Sequence, residues 1–291
     1  MYKVSSVALF IGNLKMTRLY LSLVILFLLH TAAPAQYAQW ETEADTLMNR
    51  QQFEEASKLY SKVITIRGLK ERDDYRTLYK RAFSYYYTGE FDKALKDLDV
   101  FLPEFPQVAQ AFVLRAFICR ELDNADGQLA SIQKAIELQP DNLELVKWRG
   151  SLFLQKNEYQ LAKADFLVVK GQSDDPELET NLALAYYSLD DIDSALIAIN
   201  KSIELDATYE PAYLYGGSFC LETEKYAKSL EYLNLALLVN PENANAMFYK
   251  GMVLVELKNE KEGCRLLARA FKAGQDDAAG YLKEHCYDIF K

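Results

Sequence analysis

AIELQPDNLELVKWRG, residues 135–150, contains the end of one predicted helix, a Pro-Asp-Asn break and the start of another. The stretch ALLVNPENANAMFYKG, residues 236–251, repeats this arrangement in the same register 101 residues later. Proline cannot continue a helix and disfavours helical geometry in the residue before it, so each stretch marks a boundary between two helices. A boundary that recurs in register indicates a chain built from repeated helical units.

The repeat has a period close to 34 residues. Equivalent positions in the second helix of successive units fall 34, 33, 34 and 34 residues apart, at Ala135, Val169, Ser202, Ala236 and Ala270. In the first helix of a unit, a large residue is followed four positions later by a small one and then by an apolar one, as in Val146, Gly150 and Phe153. This spacing places the three side chains on one helical face. The small residue lets two antiparallel helices approach closely, and stacking of neighbouring units buries the remaining apolar surface.

On these residues the chain resembles the tetratricopeptide repeat family. The matching units are residues 37–70, 75–108, 109–142, 143–175, 176–209, 210–243 and 244–277. Gln128 and Gly263 depart from the pattern at the small position of the second helix. The resemblance implies an all-α, right-handed superhelical solenoid of about seven helical hairpins over residues 36–277. Residues 278–291 are expected to form a C-terminal capping helix, because the last unit of a stacked array exposes an apolar face.

Residues 1–35 have the pattern of a secretory signal peptide. Lys15 and Arg18 precede or flank an uncharged run of 11 residues, LYLSLVILFLL, and a small-x-small cleavage site follows at residues 33–35. The run is too short for a spanning helix. Met16 is an alternative start, and an uncleaved N-terminal anchor is the competing interpretation. We therefore expect an exported protein, periplasmic or associated with the cell envelope, without a membrane span in its mature form.

The charge of the chain excludes some classes of partner. The net charge of the full sequence is −9. Removal of residues 1–35 would take away three basic residues and no acidic one, leaving −12. No basic cluster remains that could neutralise phosphates, so neither nucleic acid nor an anionic membrane is expected as a partner.

The sequence offers no clear catalytic or metal-binding constellation. Beyond residue 35 it contains one histidine, His285, which is expected at the surface of the capping helix. Catalytic triads need a histidine beside a nucleophile and an orienting acid, and metal sites need clustered His or Cys ligands. We expect no catalytic residue, no metal and no cofactor. An enzyme whose carboxylate pair comes from separate repeats remains an open alternative.

The four cysteines differ in whether a disulfide is expected. Cys264 lies 10 residues before Gly274, where one helix should end, and Cys286 lies 12 residues after it. Similar distances from a turn mean similar heights on antiparallel helices, so a Cys264–Cys286 disulfide is predicted, with two ordinary core cysteines as the alternative. Cys119 and Cys220 occupy equivalent positions in units too far apart to touch and are expected to be buried and unpaired.

The family resemblance implies a binding surface on the first helices of the hairpins, where family members hold a peptide or protein segment. The residues expected to contact a partner are Tyr79, Phe83, Tyr86, Tyr87, Phe117, Arg120, Lys147, Leu184 and Tyr187. Further positions of the same face are Arg76, Val113, Ser151, Leu154, Gln155, Thr180, Leu214, Ser218, Leu221, Phe248, Met252 and Val255. The Lys and Asn pattern with which some members grip a C-terminal carboxylate is not matched. The expected function is a non-catalytic protein-interaction scaffold, and the alternative is an assembly or accessory subunit of a secretion or outer-membrane complex.

Overall fold

A computed structural model describes residues 36–172 and 175–286. The predicted signal peptide therefore lies outside the described residues. The chain divides into two compact units, residues 1–138 and 139–291, and each is described by itself. The helices of the first unit are α1 (36–49), α2 (Phe53–Arg67), α3 (Arg76–Tyr87), α4 (Phe91–Glu104), α5 (Ala109–Glu121) and α6 (Ala125–Leu138), with a 3₁₀ turn at Arg72–Tyr75.

The second unit is also helical. Its helices are α7 (Leu143–Gln155), α8 (Tyr159–Val169), α9 (Pro176–Tyr187), α10 (Ile192–Leu205), α11 (Glu210–Glu222), α12 (Tyr226–Val239), α13 (Ala244–Glu256), α14 (Glu260–Lys272) and α15 (Asp277–His285). Odd- and even-numbered helices up to α14 form successive hairpins, and within each unit a hairpin packs on the next one along the chain. The prediction of an all-α repeat fold is confirmed.

Small residues lie where the two helices of a hairpin touch. Ala82 and Ala94 are fully buried at this position, as are Ala183 and Ala195. In the last hairpin both positions are glycine, and a Cβ added to Gly263 would lie 2.8 Å from the carbonyl oxygen of Gly251. The backbones therefore approach more closely than an alanine pair would permit, and the larger neighbours fill the space above and below.

Each hairpin turn contains one residue in the left-handed region of backbone conformation. These residues are Gln51, Gly89, Asp123, Asn157, Asp190, Glu224 and Lys258, with φ between 52° and 76°. Only one of the seven is glycine, although glycine adopts this conformation most readily. The packing of the two helices must therefore hold the other six residues in a conformation that an L-residue adopts at some cost.

Several helices begin at side-chain caps. The Asp175 carboxylate accepts a hydrogen bond from the Glu177 amide at the start of α9, and Asp191 accepts one from Ser194 at the start of α10. These bonds satisfy amide groups that have no partner within the helix. The acidic residues near these helix starts thus have a structural explanation.

The last helix of the described residues packs on the hairpin that precedes it. α15 contacts α13 and α14, with Ala278 fully buried and Tyr281 and Leu282 packed against the same apolar cluster. Residues 287–291, including Phe290, lie outside the described part of the chain. Among the residues described, no helix combines the length and the apolar character needed to cross a membrane.

Candidate partner-binding surface

Five aromatic side chains form a continuous cluster in the first unit, which we call the aromatic face. Phe53 begins α2; Phe83, Tyr86 and Tyr87 lie on α3; and Phe117 lies on α5. The Tyr87 ring stacks on Phe53, with centroids 4.4 Å apart, and lies 4.9 Å from Phe83 and 5.2 Å from Tyr86. Tyr86 in turn lies 6.1 Å from Phe117. The structure thus brings four predicted site residues together across neighbouring hairpins.

Tyr87 is the exposed member of the aromatic face. Its side chain is 55% exposed, whereas the other four rings are half-buried. The buried parts of those rings hold Tyr87 in place by stacking and edge contacts, which lowers the entropy lost when a partner binds. Phe53 was not among the predicted site residues, because its sequence neighbours assign it only to the start of a helix.

Tyr79 packs against the core of the first unit, whereas the sequence predicted that it would contact a partner. Its ring stacks on the buried Phe101, with centroids 5.3 Å apart, and it packs against the apolar core of the first unit. Burial also raises the pKa of the Tyr79 hydroxyl. Replacement of this ring would therefore disturb the core as well as any surface contact.

Arg120 extends the aromatic face with a cation. Its guanidinium carbon lies 5.2 Å from the centroid of the Phe117 ring. An ion pair of 2.8 Å with Glu121 offsets its charge. A pair this exposed contributes little to stability, so both side chains remain free to rearrange on binding.

Lys147 bridges two hairpins in the second unit. Its amine forms ion pairs with Asp175 and Glu177, the latter at 2.7 Å, and its side chain is only 16% exposed. The ammonium group therefore ties α7 to the start of α9. Two carboxylates surround this cation, so it presents little net positive charge to a partner.

Tyr187 and Leu184 also contact neighbouring elements. The Tyr187 ring lies flat on Phe219, with centroids 4.0 Å apart, and its hydroxyl donates a hydrogen bond to Glu222. Burial, together with this carboxylate, raises the pKa of the Tyr187 hydroxyl. Leu184 is half-buried against the apolar core of the second unit. These contacts join α9 to α11 and leave only part of each side chain accessible.

Several positions expected on the same face are buried, so the expectation of an open surface there is wrong. The buried residues are Thr180, Ser218, Leu221, Phe248 and Val255. Thr180 donates a hydrogen bond to Ser202 on α10. The first helices of successive hairpins contact one another directly in this unit, which covers side chains that spacing within one helix would leave exposed.

The described residues include the predicted surface histidine and side chains of the types that bind metal. They contain no group of three or more His, Cys, Asp or Glu side chains that could hold a metal ion. His285 lies near the surface, where its ring is 4.2 Å from that of Tyr281. Its Nε2 lies 3.8 Å from a carboxylate oxygen of Glu284.

Cys264 and Cys286 are joined by a disulfide, with Cα atoms 5.7 Å apart. The bond connects α14 to the end of α15 and so fastens the terminal helix to the last hairpin. Cys119 and Cys220 are buried free thiols. Burial raises the pKa of both thiols above its ordinary value, which disfavours the reactive thiolate form.

Models of the tetratricopeptide repeat match three stretches of the sequence. One model matches residues 109–142 and 180–209, and another matches residues 76–107. These stretches coincide with hairpins of both units. No curated protein matches the sequence.

Solved structures of several proteins, two of them named as tetratricopeptide repeat proteins, have the same fold. The C-terminal part of such a protein from Cytophaga hutchinsonii is 16% identical, with a TM-score of 0.65 over 80% of this chain and 95% of that one. A protein from Parabacteroides merdae is 17% identical, with a TM-score of 0.63 over 85% and 97% of the two chains. PilF of Pseudomonas aeruginosa is also 17% identical, with a TM-score of 0.57 over 74% and 100%. The sequence models therefore identify tetratricopeptide repeats at residues 76–107, 109–142 and 180–209, and the solved structures show that the chain has the fold of tetratricopeptide repeat proteins.

Proposed function

We propose that this protein is a non-catalytic scaffold that holds a peptide or protein segment against the aromatic face of its first unit. The fold supports protein–protein interaction in general. The observation that carries the more specific proposal is the exposed Tyr87 ring, held in place by Phe53, Phe83 and Tyr86. Pre-positioned tyrosines give large contact areas at low entropic cost and are common anchors of interfaces.

The chemistry of the aromatic face indicates what it would bind. Stacked rings provide an apolar surface, and Arg120 at its edge adds hydrogen-bond donors beside Phe117. An extended segment with an apolar or aromatic side chain would cover the Tyr87 ring. Its backbone carbonyls could accept hydrogen bonds from the guanidinium group.

Peptide selection with a matched control tests this function. A displayed random-peptide library is selected on the wild-type protein, and the recovered peptides are measured against Tyr87→Ala and Phe271→Ala. Phe271 is a suitable control because it is another exposed aromatic, on α14 of the second unit. We expect Tyr87→Ala to weaken binding about 5- to 30-fold, as for loss of an interface anchor worth about 1–2 kcal/mol, and Phe271→Ala to leave it unchanged.

Two results would contradict the proposed function. One is the absence of enriched peptides on the folded protein. The other is an equal loss of binding in both variants, since this would place the contact away from the aromatic face. Circular dichroism of each variant separates a loss of binding from a loss of folding.

We also propose that the protein acts outside the cytoplasm. The proposal is supported by the signal-like pattern of residues 1–35 and by the Cys264–Cys286 disulfide, a bond that persists mainly in oxidising compartments. Fractionation of cells that express the full chain, with mass measurement of the product, tests it. The expected product lacks about the first 35 residues and appears in the envelope fraction. A full-length cytoplasmic product would refute it.

A further inference from the structure

Two hairpins each contain a part-buried Arg–Asp ion pair at equivalent positions. Arg81 on α3 donates two hydrogen bonds, from Nε and Nη2, to Asp97 on α4, each 2.7 Å long. Arg149 on α7 donates from the same two nitrogens to Asp165 on α8, each bond 2.8 Å long. The arginines lie 68 residues apart, as do the aspartates, which is two periods of the repeat. A fork of two parallel bonds is a strong and specific way to pair arginine with a carboxylate.

The hairpin between these two keeps the arginine but lacks the aspartate. Arg115 on α5 lies 34 residues after Arg81, and Ser131 on α6 lies 34 residues after Asp97. The Ser131 hydroxyl is turned away, because it donates to the Gly127 carbonyl at 2.7 Å. This hairpin thus lacks the carboxylate that the hairpins before and after it along the chain supply at the equivalent position.

Arg115 is left incompletely paired by this change. Its Nη2 donates to Asp99 on α4, at 3.0 Å. Its Nε is buried without a hydrogen-bond partner, which is true of no other side-chain nitrogen or oxygen in the part of the chain that the structure describes. A buried donor without an acceptor is unfavourable, so an acceptor placed beside the Nε–H of Arg115 would stabilise it.

A cleft lies beside this guanidinium group. Its volume is about 610 Å³, and its lining includes Phe112, Arg115, Ser131, Lys134 and Leu138. Lys134 adds a second cation, which is paired at 2.6 Å with Glu137, also in the lining. The side chain of Arg115 is 36% exposed and forms part of the cleft wall. Apolar walls and two cations suit the carboxylate of a short peptide segment.

We propose that this cleft binds a carboxylate, from an acidic side chain or a chain terminus, that takes the place of the missing aspartate on Arg115. The incoming oxygens accept hydrogen bonds from Nε and Nη2, as the carboxylates of Asp97 and Asp165 do in the hairpins before and after this one along the chain. The site is separate from the aromatic face: the spacing of Arg115 from Phe117 along α5 places their side chains on different sides of the helix. It therefore does not depend on the proposed function.

The side-chain Nε–H resonance of Arg115 reports directly on this site. Three capped tripeptides serve as probes: acetyl-Gly-Glu-Gly-amide, acetyl-Gly-Gly-Gly with a free carboxylate, and acetyl-Gly-Gln-Gly-amide. We expect a saturable shift of the Arg115 resonance with one or both carboxylates and none with the glutamine probe. The first two probes distinguish a side-chain carboxylate from a chain terminus. Loss of the resonance in Arg115→Lys confirms its assignment.

Substitution at Ser131 provides the matched test. Ser131→Asp restores the internal carboxylate, so it should move the Arg115 resonance toward those of Arg81 and Arg149 and weaken probe binding about tenfold or more. Ser131→Asn is of similar size but uncharged, and it should retain binding. The backbone amide resonances of α6 provide a second readout, and the carboxylate probes should shift them saturably in the wild type. Should Ser131→Asp fail to fold, Arg115→Lys, which keeps the charge and loses the two parallel bonds, must abolish these α6 shifts. Equal shifts with the glutamine probe, no shift with either carboxylate, or an unchanged response in Ser131→Asp would each overturn the proposal.

Discussion

Replacement of Gly217 by alanine tests the idea that close helix contact determines this fold. Gly217 lies in α11 where it meets α12, and an added Cβ would lie 2.6 Å from Cγ and 2.7 Å from Cδ2 of Leu233. The Ser229 hydroxyl donates to the Gly217 carbonyl at 2.7 Å, so the two helices are also joined by a hydrogen bond at this point. Neither Leu233 nor Ser229 is exposed, and relief of the clash requires the helices to separate.

Two effects of opposite sign determine the magnitude. Alanine favours a helix over glycine by about 1 kcal/mol. Overpacking of a close contact costs about 1–3 kcal/mol. We therefore expect Gly217→Ala to lower the free energy of unfolding by up to about 2 kcal/mol. Gly280 in α15 is the control, since an added Cβ there meets no atom within 4 Å, and Gly280→Ala should be neutral or stabilising.

Urea denaturation followed by circular dichroism measures both variants. A double-mutant cycle with Leu233→Ala isolates the clash, because truncation of the leucine removes the atoms that the new methyl group meets. The substitution at Gly217 should then be better tolerated in the Leu233→Ala background than in the wild type. If Gly217→Ala proves as stable as Gly280→Ala, the proposed contact between α11 and α12 is wrong.

Three further predictions concern single contacts. Thiol counting on the denatured, unreduced protein should find two free thiols, and four would refute the disulfide. The double variant with Cys264→Ser and Cys286→Ser should have a free energy of unfolding about 3 kcal/mol lower than that of the wild type. Burial raises the pKa of the Asp175 carboxyl, but its bonds to Lys147 and to backbone amides outweigh this, so its folded pKa is lowered. The ionised carboxylate therefore contributes fully to the free energy of unfolding above about pH 4, and this contribution is lost as the pH falls through the folded pKa. In an acid titration of stability, Asp175→Asn should lose stability less steeply than the wild type does. Parallel titration curves would contradict this. Tyr60→Phe removes a hydroxyl that donates a 2.6 Å hydrogen bond to the carboxylate of Asp45 from a buried residue. Thermal unfolding should show a free energy of unfolding lower by about 1–3 kcal/mol. An unchanged melting temperature would show that this bond does not stabilise the fold.

The sequence alone was sufficient for the helical repeat and for its contact positions. The 34-residue period, the small residues and the proline breaks depend on spacing within a helix and on backbone restrictions, both of which are local. Ala82 and Ala183, which occupy the small position of this spacing in their own hairpins, accordingly lie fully buried between helices. The pairing of Cys264 with Cys286 was also accessible, because both lie at known distances from one turn.

The tertiary structure decided which side chains remain available to a partner. Phe53 joins the aromatic face through its contact with Tyr87. Helix spacing alone places Lys147 and Phe248 on an open surface. In the structure, however, two carboxylates enclose Lys147, and Phe248 is buried. The unpaired Nε of Arg115 likewise depends on where the Ser131 hydroxyl turns and on what α4 supplies. Exposure and pairing are set by neighbours that are about 10–40 residues away in sequence, and their positions follow from how the hairpins stack. Local periodicity therefore specifies the helices and their contacts, whereas packing between hairpins determines the chemistry of the surface.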